Sequence, residues 1–195
     1  MRTAEALTEY VRLLNELQSE FPGFEVKYKR DSTTMKAIDR FLKIVTFGKM
    51  KTFMTAFITT YGDDIFTPDG WDDNDPLTKC VTLRHERVHL RQKLRYFRSI
   101  PWLSALCFSL RYTLWILPAG LAMGRKLIEQ EAYEESLRAR AEYLGVAVLD
   151  DASYRKSVVN HFLSADYFWT WPFRKSVEAW YDATVLKIRL EMRAS

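Results

Sequence analysis

The chain has 195 residues, the length of one ordinary domain. Hydrophobic residues make up 48% and charged residues 28%, a globular composition that excludes a largely disordered chain. Lysine and arginine number 29 against 25 acidic residues, and the resulting charge of +4 permits contact with nucleic acid or membrane surfaces without requiring either. The two cysteines, Cys80 and Cys107, are too few for a disulfide framework and favour a reducing compartment.

The N-terminal region predicts a helix that begins at Thr3 and ends before Pro22. It lacks the apolar core and small-residue cleavage site of a secretory signal, so we expect a cytoplasmic protein that is not secreted, with membrane association as a further option. Alternating residues over 24–28 predict a short strand. An amphipathic helix is predicted over 35–45, with Phe41 on its apolar face beside Ile38, Leu42 and Val45.

A β-hairpin is predicted next. Residues 53–60, FMTAFITT, are rich in aromatic and β-branched side chains, and a turn at Gly62 separates them from a second short strand at 65–67. Asp75 and Pro76 then supply the N-cap and first-turn proline of a long helix that runs to about residue 97.

The long helix carries an HExxH motif, His85-Glu86-Arg87-Val88-His89. Residues four apart lie on one helix face, so both imidazoles can bind one zinc ion. Glu86 lies at the edge of that face, where it can take a proton from a zinc-activated water. The alternative is two exposed histidines on a basic helix.

Helical projection at about 100° per residue places Gln92 on the same side as the two histidines. An arginine stripe lies roughly opposite, formed by Arg84, Arg87, Arg91, Arg95 and Arg98. We interpret this stripe as a solvated face, with a polyanion or lipid-headgroup surface as the alternative.

A catalytic zinc needs a third protein ligand, which we expect from a helix predicted over 125–144. Glu129 falls inside the apolar face of that helix, whereas Glu131 falls on the charged face. A carboxylate among apolar neighbours needs compensation, so Glu129 is the predicted ligand and Glu131 the fallback. Tyr133 and Gln92 are candidates to support the ligands, and His161 is a candidate to stabilise a transition state.

Between these two helices lies a nearly uninterrupted apolar run over 100–124 with Arg111 as its only charge. Its length would cross a bilayer, but the interior arginine and Pro118 argue against a simple span. Two short apolar helices over the core, or a membrane hairpin or interfacial segment, are both consistent with the sequence. Two more helices are predicted over 151–164 and 173–193.

The HExxH helix followed by a glutamate on a later helix resembles the gluzincin arrangement of zinc metallopeptidases, the thermolysin-like clan. The resemblance extends to HExxHxxQ, ending at Gln92, and to the run at 129–132, which is similar to an ExxAD signature but has Tyr133 at the aspartate position. The matched core covers about residues 52–144 and looks like a small single-domain member, similar to the minigluzincins. The resemblance implies one zinc ion and a peptide substrate that pairs with an edge strand at 53–60.

These features and the resemblance together predict a single α+β domain over 1–195, mainly helical and zincin-like, with a small sheet or hairpin over a zinc-binding helix pair. The expected function is zinc-dependent hydrolysis of peptide bonds, with no specific nucleic-acid partner; membrane contact through 100–124 is the alternative to a role of that segment in the core. One alternative is a non-enzymatic basic helical protein that associates with a membrane surface or nucleic acid. The other is a zinc-binding relative without catalytic activity.

Overall fold

The computed structural model describes residues 3–96, 123–163 and 173–194. Within these ranges the chain is mainly helical with a small three-stranded sheet, as the α+β prediction requires. The chain divides into two compact units, and the boundary between Leu90 and Arg91 falls inside one continuous helix.

The first unit contains two complete helices and most of a third. They are α1 (Thr3–Glu20), α2 (Thr33–Val45) and α3 (Pro76–Tyr96). The predicted cap of α3 is confirmed, because the Asp75 carboxylate accepts a hydrogen bond of 3.0 Å from the Thr78 backbone N–H. The predicted helix over 35–45 is confirmed as part of α2; on its apolar face Ile38 and Leu42 are half-buried and Phe41 is exposed, and Met35 and Asp39 are buried.

The sheet consists of β1 (Val26–Tyr28), β2 (Thr59–Tyr61) and β3 (Asp64–Thr67) in the order β1-β3-β2. Strand β1 runs parallel to β3, and β2 pairs antiparallel to it with Thr60 opposite Ile65. The strand predicted over 53–60 is wrong for its first six residues. The backbone N–H groups of Thr55 and Ala56 bond to the Thr52 carbonyl, so local turn bonds replace a strand ladder there.

Helices α1 and α3 are in contact, and Leu17 of α1 and Cys80 and Leu83 of α3 are fully buried. The Cys80 thiol donates to the Ala6 carbonyl at 3.5 Å, and burial raises the pKa of this thiol to about 11. The arginine stripe is not simply a solvated face, since Arg87 forms ion pairs with Glu16 and Glu20 of α1.

The second unit begins with the last turns of α3 and continues with α4 (Met123–Leu144), α5 (Ala152–Leu163) and α6 (Arg174–Ala194). These helices confirm the predicted ones to within two residues. Their common core consists of Leu137, Ala141, Leu149, Val158, Val159, Phe162, Val177, Tyr181 and Ile188. The apolar run at 100–124 lies almost wholly outside the described residues, so its contact with a membrane stays a prediction. Among the described helices, none has both the length and the apolarity needed to cross a bilayer.

Candidate metal centre

Helix α3 brings the HExxH side chains together. The rings of His85 and His89 lie edge to face with their centroids 5.0 Å apart, as expected for residues one turn apart on a helix. His89 and Glu86 are buried at 7% and 6% exposure, and His85 is half-buried. Buried polar side chains of this kind require polar or ionic partners.

The end of α3 is joined to α4 through Gln92, which is buried one turn beyond His89. Its side-chain amide donates to the Ile128 carbonyl at 3.0 Å and to the Glu131 carboxylate at 2.9 Å. Arg95 pairs with the same carboxylate at 2.6 Å. These contacts fix the last turns of α3 against the turn of α4 that contains Glu129.

The two candidate carboxylates of α4 have different environments. Glu129 is buried at 2% exposure, whereas the Glu131 side chain is 41% exposed and pairs with Arg95. This difference follows the helical projection from the sequence. Glu131 is nevertheless less solvated than predicted, because it accepts two hydrogen-bonding contacts from α3.

His85, His89 and Glu129 form a group that could hold a metal ion. One ligand atom from each side chain lies within 4.8 Å of the other two. Two imidazoles and one carboxylate form a donor set that suits zinc and several other divalent transition metals. The residues present therefore fit a metal ion.

A hydrogen bond from the sheet reaches Glu86. The Thr60 hydroxyl of β2 donates to Glu86 Oε2 with 2.6 Å between the two oxygens. A hydrogen bond to a carboxylate at this distance orients the acceptor and stabilises its negative charge. Sequence reasoning missed Thr60, because the sequence of a predicted strand does not show which side chain of a distant helix its threonine will contact.

Lys29 is a second residue that sequence reasoning missed. It is fully buried, its ammonium donates to the Phe53 carbonyl at 2.7 Å, and it lies 3.8 Å from the centroid of the Phe53 ring. Burial lowers the pKa of Lys29 to about 8, against the attraction of Glu86 and Asp39. Nothing in the pattern around Lys29 distinguishes it from the exposed lysines of this basic chain.

Comparisons with known proteins give no match for this chain. No family model matches it, and neither a curated protein nor a solved structure does so. The resemblance to gluzincins therefore rests on the motif residues alone, and the zincin-like fold stays a prediction.

The remaining candidates lie in the second unit. The Tyr133 and His161 rings are in edge contact with centroids 5.6 Å apart, and Tyr133 also packs against Phe162 at 5.7 Å. These contacts place Tyr133 at the border of the helical core. A supporting role for Tyr133 and a transition-state role for His161 stay predictions.

Proposed function

We propose that this chain is a zinc-dependent metallopeptidase. The observation that carries the proposal is the grouping of His85, His89 and buried Glu129, with Glu86 next to the first of these ligands. Burial of the Glu129 carboxylate and of the His89 imidazole costs free energy, and a bound metal ion would offset that cost. Together with a glutamate that can carry protons, this donor set suits metal-assisted hydrolysis.

In this mechanism His85, His89 and Glu129 hold the zinc ion. When bound, zinc supplies a Lewis acid that makes water nucleophilic near neutral pH. Glu86 takes the proton from the attacking water and later delivers it to the leaving amine nitrogen. Thr60 holds the Glu86 carboxylate at Oε2 and limits its rotation during these transfers.

The substrate in this proposal is an extended peptide that pairs with an exposed sheet edge. Strand β2 lies at one end of the strand order, and Tyr61 at its end is exposed. Pairing with β2 would give main-chain hydrogen bonds to the peptide independent of its sequence. The pairing strand is Thr59–Tyr61 and does not extend over the whole range 53–60.

The test of the proposed function is Glu86→Gln in the zinc-loaded protein, assayed with fluorescein-labelled casein. Loss of the proton carrier should lower the hydrolysis rate by about 100- to 10,000-fold while zinc stays bound. Glu135→Gln makes the same substitution at a half-buried glutamate of α4. It is the matched control and should retain activity. Equal rates for Glu86→Gln and wild type with zinc bound would overturn the mechanism. Zinc binding with no hydrolysis by the wild type would favour a silent relative.

A further inference from the structure

The C-terminal end of α2 and the loop after it, residues 40–51, expose three large apolar side chains close together. Phe41 is 54% exposed, Ile44 is 74% exposed and Phe47 is 94% exposed. Residues three apart on a helix are neighbours, so Phe41 and Ile44 share one side of α2 and Phe47 follows immediately beyond its end. We call residues 40–51 the α2 tip. A group of this kind marks an interaction surface more often than three scattered apolar residues do.

Phe47 has an unfavourable backbone conformation in addition to its exposed ring. Phe47 has a φ of +52°, the left-handed region. Its N–H bonds to the Ile44 carbonyl and the Gly48 N–H bonds to the Lys43 carbonyl, which is the Schellman arrangement that ends a helix. Glycine normally occupies the position of Phe47 there, because a side chain is disfavoured at positive φ. An aromatic ring kept at such a position and pointed into solvent is a reason to look for a function.

Residues 36–51, around the same apolar side chains, carry a local excess of positive charge. Residues 36–51 contain five cationic residues and one acid, an excess of four. The full chain has 29 cationic and 25 acidic residues, also an excess of four, so the rest of the chain is balanced. The one acid, Asp39, is buried and pairs with Lys43 at 2.6 Å. The cations of this segment are all exposed and lie within a few residues of the apolar side chains, namely Lys36, Arg40, Lys43, Lys49 and Lys51.

We propose that the α2 tip docks on the surface of an anionic lipid bilayer. Phe41, Ile44 and Phe47 enter the boundary between headgroups and acyl chains, and the surrounding lysines bind the headgroups. Anionic lipid fits both features, since it offers an apolar layer directly beneath negative charge. This surface lies wholly within the first unit and does not depend on the proposed peptidase activity.

The test measures binding of the full chain to vesicles of phosphatidylcholine with phosphatidylserine in a ratio of about 7:3, against vesicles of phosphatidylcholine alone. The wild type should sediment with the anionic vesicles, and binding should fall as salt is raised. Phe47→Gly should weaken this binding about tenfold, and Lys49→Glu with Lys51→Glu should weaken it at least as much.

Matched controls change equally exposed residues elsewhere. Leu186→Ser with Leu190→Ser removes two apolar side chains of α6 that are 59% and 56% exposed, and Lys156→Glu with Lys175→Glu reverses two exposed lysines. Both control variants should bind within about twofold of the wild type. Phe47→Gly cannot act by unfolding the chain, since glycine suits a positive φ, and its Tm should equal or exceed that of the wild type.

Three results would overturn the proposal. The first is no binding to anionic vesicles, or equal binding to both kinds of vesicle. The second is a control variant that weakens binding as much as Phe47→Gly. The third is evidence that something other than lipid binds the α2 tip while vesicles do not. A dimer in analytical ultracentrifugation that Phe47→Gly converts to monomer would indicate a second copy of the chain. Salt-sensitive binding to poly(U) that Phe47→Gly weakens would indicate a nucleic acid.

Discussion

The hydroxyl of Thr60 and the carboxylate of Glu86 are 2.6 Å apart, and this hydrogen bond links strand β2 to helix α3. The proposed peptide-pairing strand and the proposed proton carrier are therefore in direct contact. A peptide that pairs with β2 would bind the same strand whose Thr60 orients Glu86. This link gives the proposed mechanism a way to improve the position of Glu86 when substrate is bound.

Thr60→Val should lower kcat by about 10- to 100-fold, because a hydrogen bond to a charged group contributes about 1.5–3 kcal/mol. Valine has nearly the shape of threonine, so zinc content should not change. The measurement is casein hydrolysis by zinc-loaded protein, with kcat and KM determined separately.

Thr60→Ser keeps the hydroxyl and should recover most of the rate lost in Thr60→Val. Thr59→Val is the matched control on the same strand, and its kcat should stay within about twofold of the wild type. If Thr59→Val and Thr60→Val lower kcat equally, the effect belongs to the strand and not to the hydrogen bond with Glu86.

Gln92→Leu should destabilise the fold by about 1–3 kcal/mol, because it leaves the polar partners of a buried amide without their donor. The change should also weaken metal binding, since Gln92 fixes the end of α3 against α4. Urea unfolding and competition with a zinc chelator measure the two effects. Lys93→Leu is the neighbouring control and should leave zinc affinity unchanged; equal loss of affinity in both variants would rule out the specific role of Gln92.

Lys29 should make the stability of the first unit depend on pH in an unusual direction. The pKa of Lys29 is about 8 in the folded chain against 10.5 for an ordinary lysine. Between these values the unfolded chain binds more protons than the folded one, so raising the pH stabilises the fold. The free energy of unfolding of the wild type relative to Lys29→Met should rise by about 2 kcal/mol from pH 7.5 to 9.5.

Urea unfolding in EDTA at both pH values measures this change without any contribution from metal binding. Lys36→Met, at an exposed lysine of α2, is the control. The free energy of unfolding of the wild type relative to Lys36→Met should be the same at both pH values. If the difference in free energy of unfolding between wild type and Lys29→Met is the same at both pH values, the pKa of Lys29 is not lowered in the folded chain.

Helix positions, and the burial of Glu129 against the exposure of Glu131, were predictable from local pattern. The Asp75 cap, the HExxH spacing and the apolar face around Glu129 are all set by residues within a few turns of one another. The same local rules therefore separate Glu129 from Glu131 before any tertiary structure is known.

Contacts between distant segments were not predictable in this way. Thr60 meets Glu86 from 26 residues away, and Lys29 meets Phe53 from 24 residues away. The strand predicted over 53–60 failed for a related reason, since Phe53 and its neighbours have strand-like composition but form turn bonds beside buried Lys29. Phe41 lies on the predicted apolar face of α2 and is exposed, because local periodicity does not show which parts of a face another element covers.

The central claim is that His85, His89 and Glu129 bind one metal ion, and elemental mass spectrometry of the purified protein tests it most directly. We expect about one zinc per chain in the wild type and in Glu131→Ala, and loss of zinc in Glu129→Ala with the helical content retained by circular dichroism. Equal zinc in Glu129→Ala and wild type would contradict the assignment of the third ligand. No metal in any sample after reconstitution with zinc would contradict the metal centre itself.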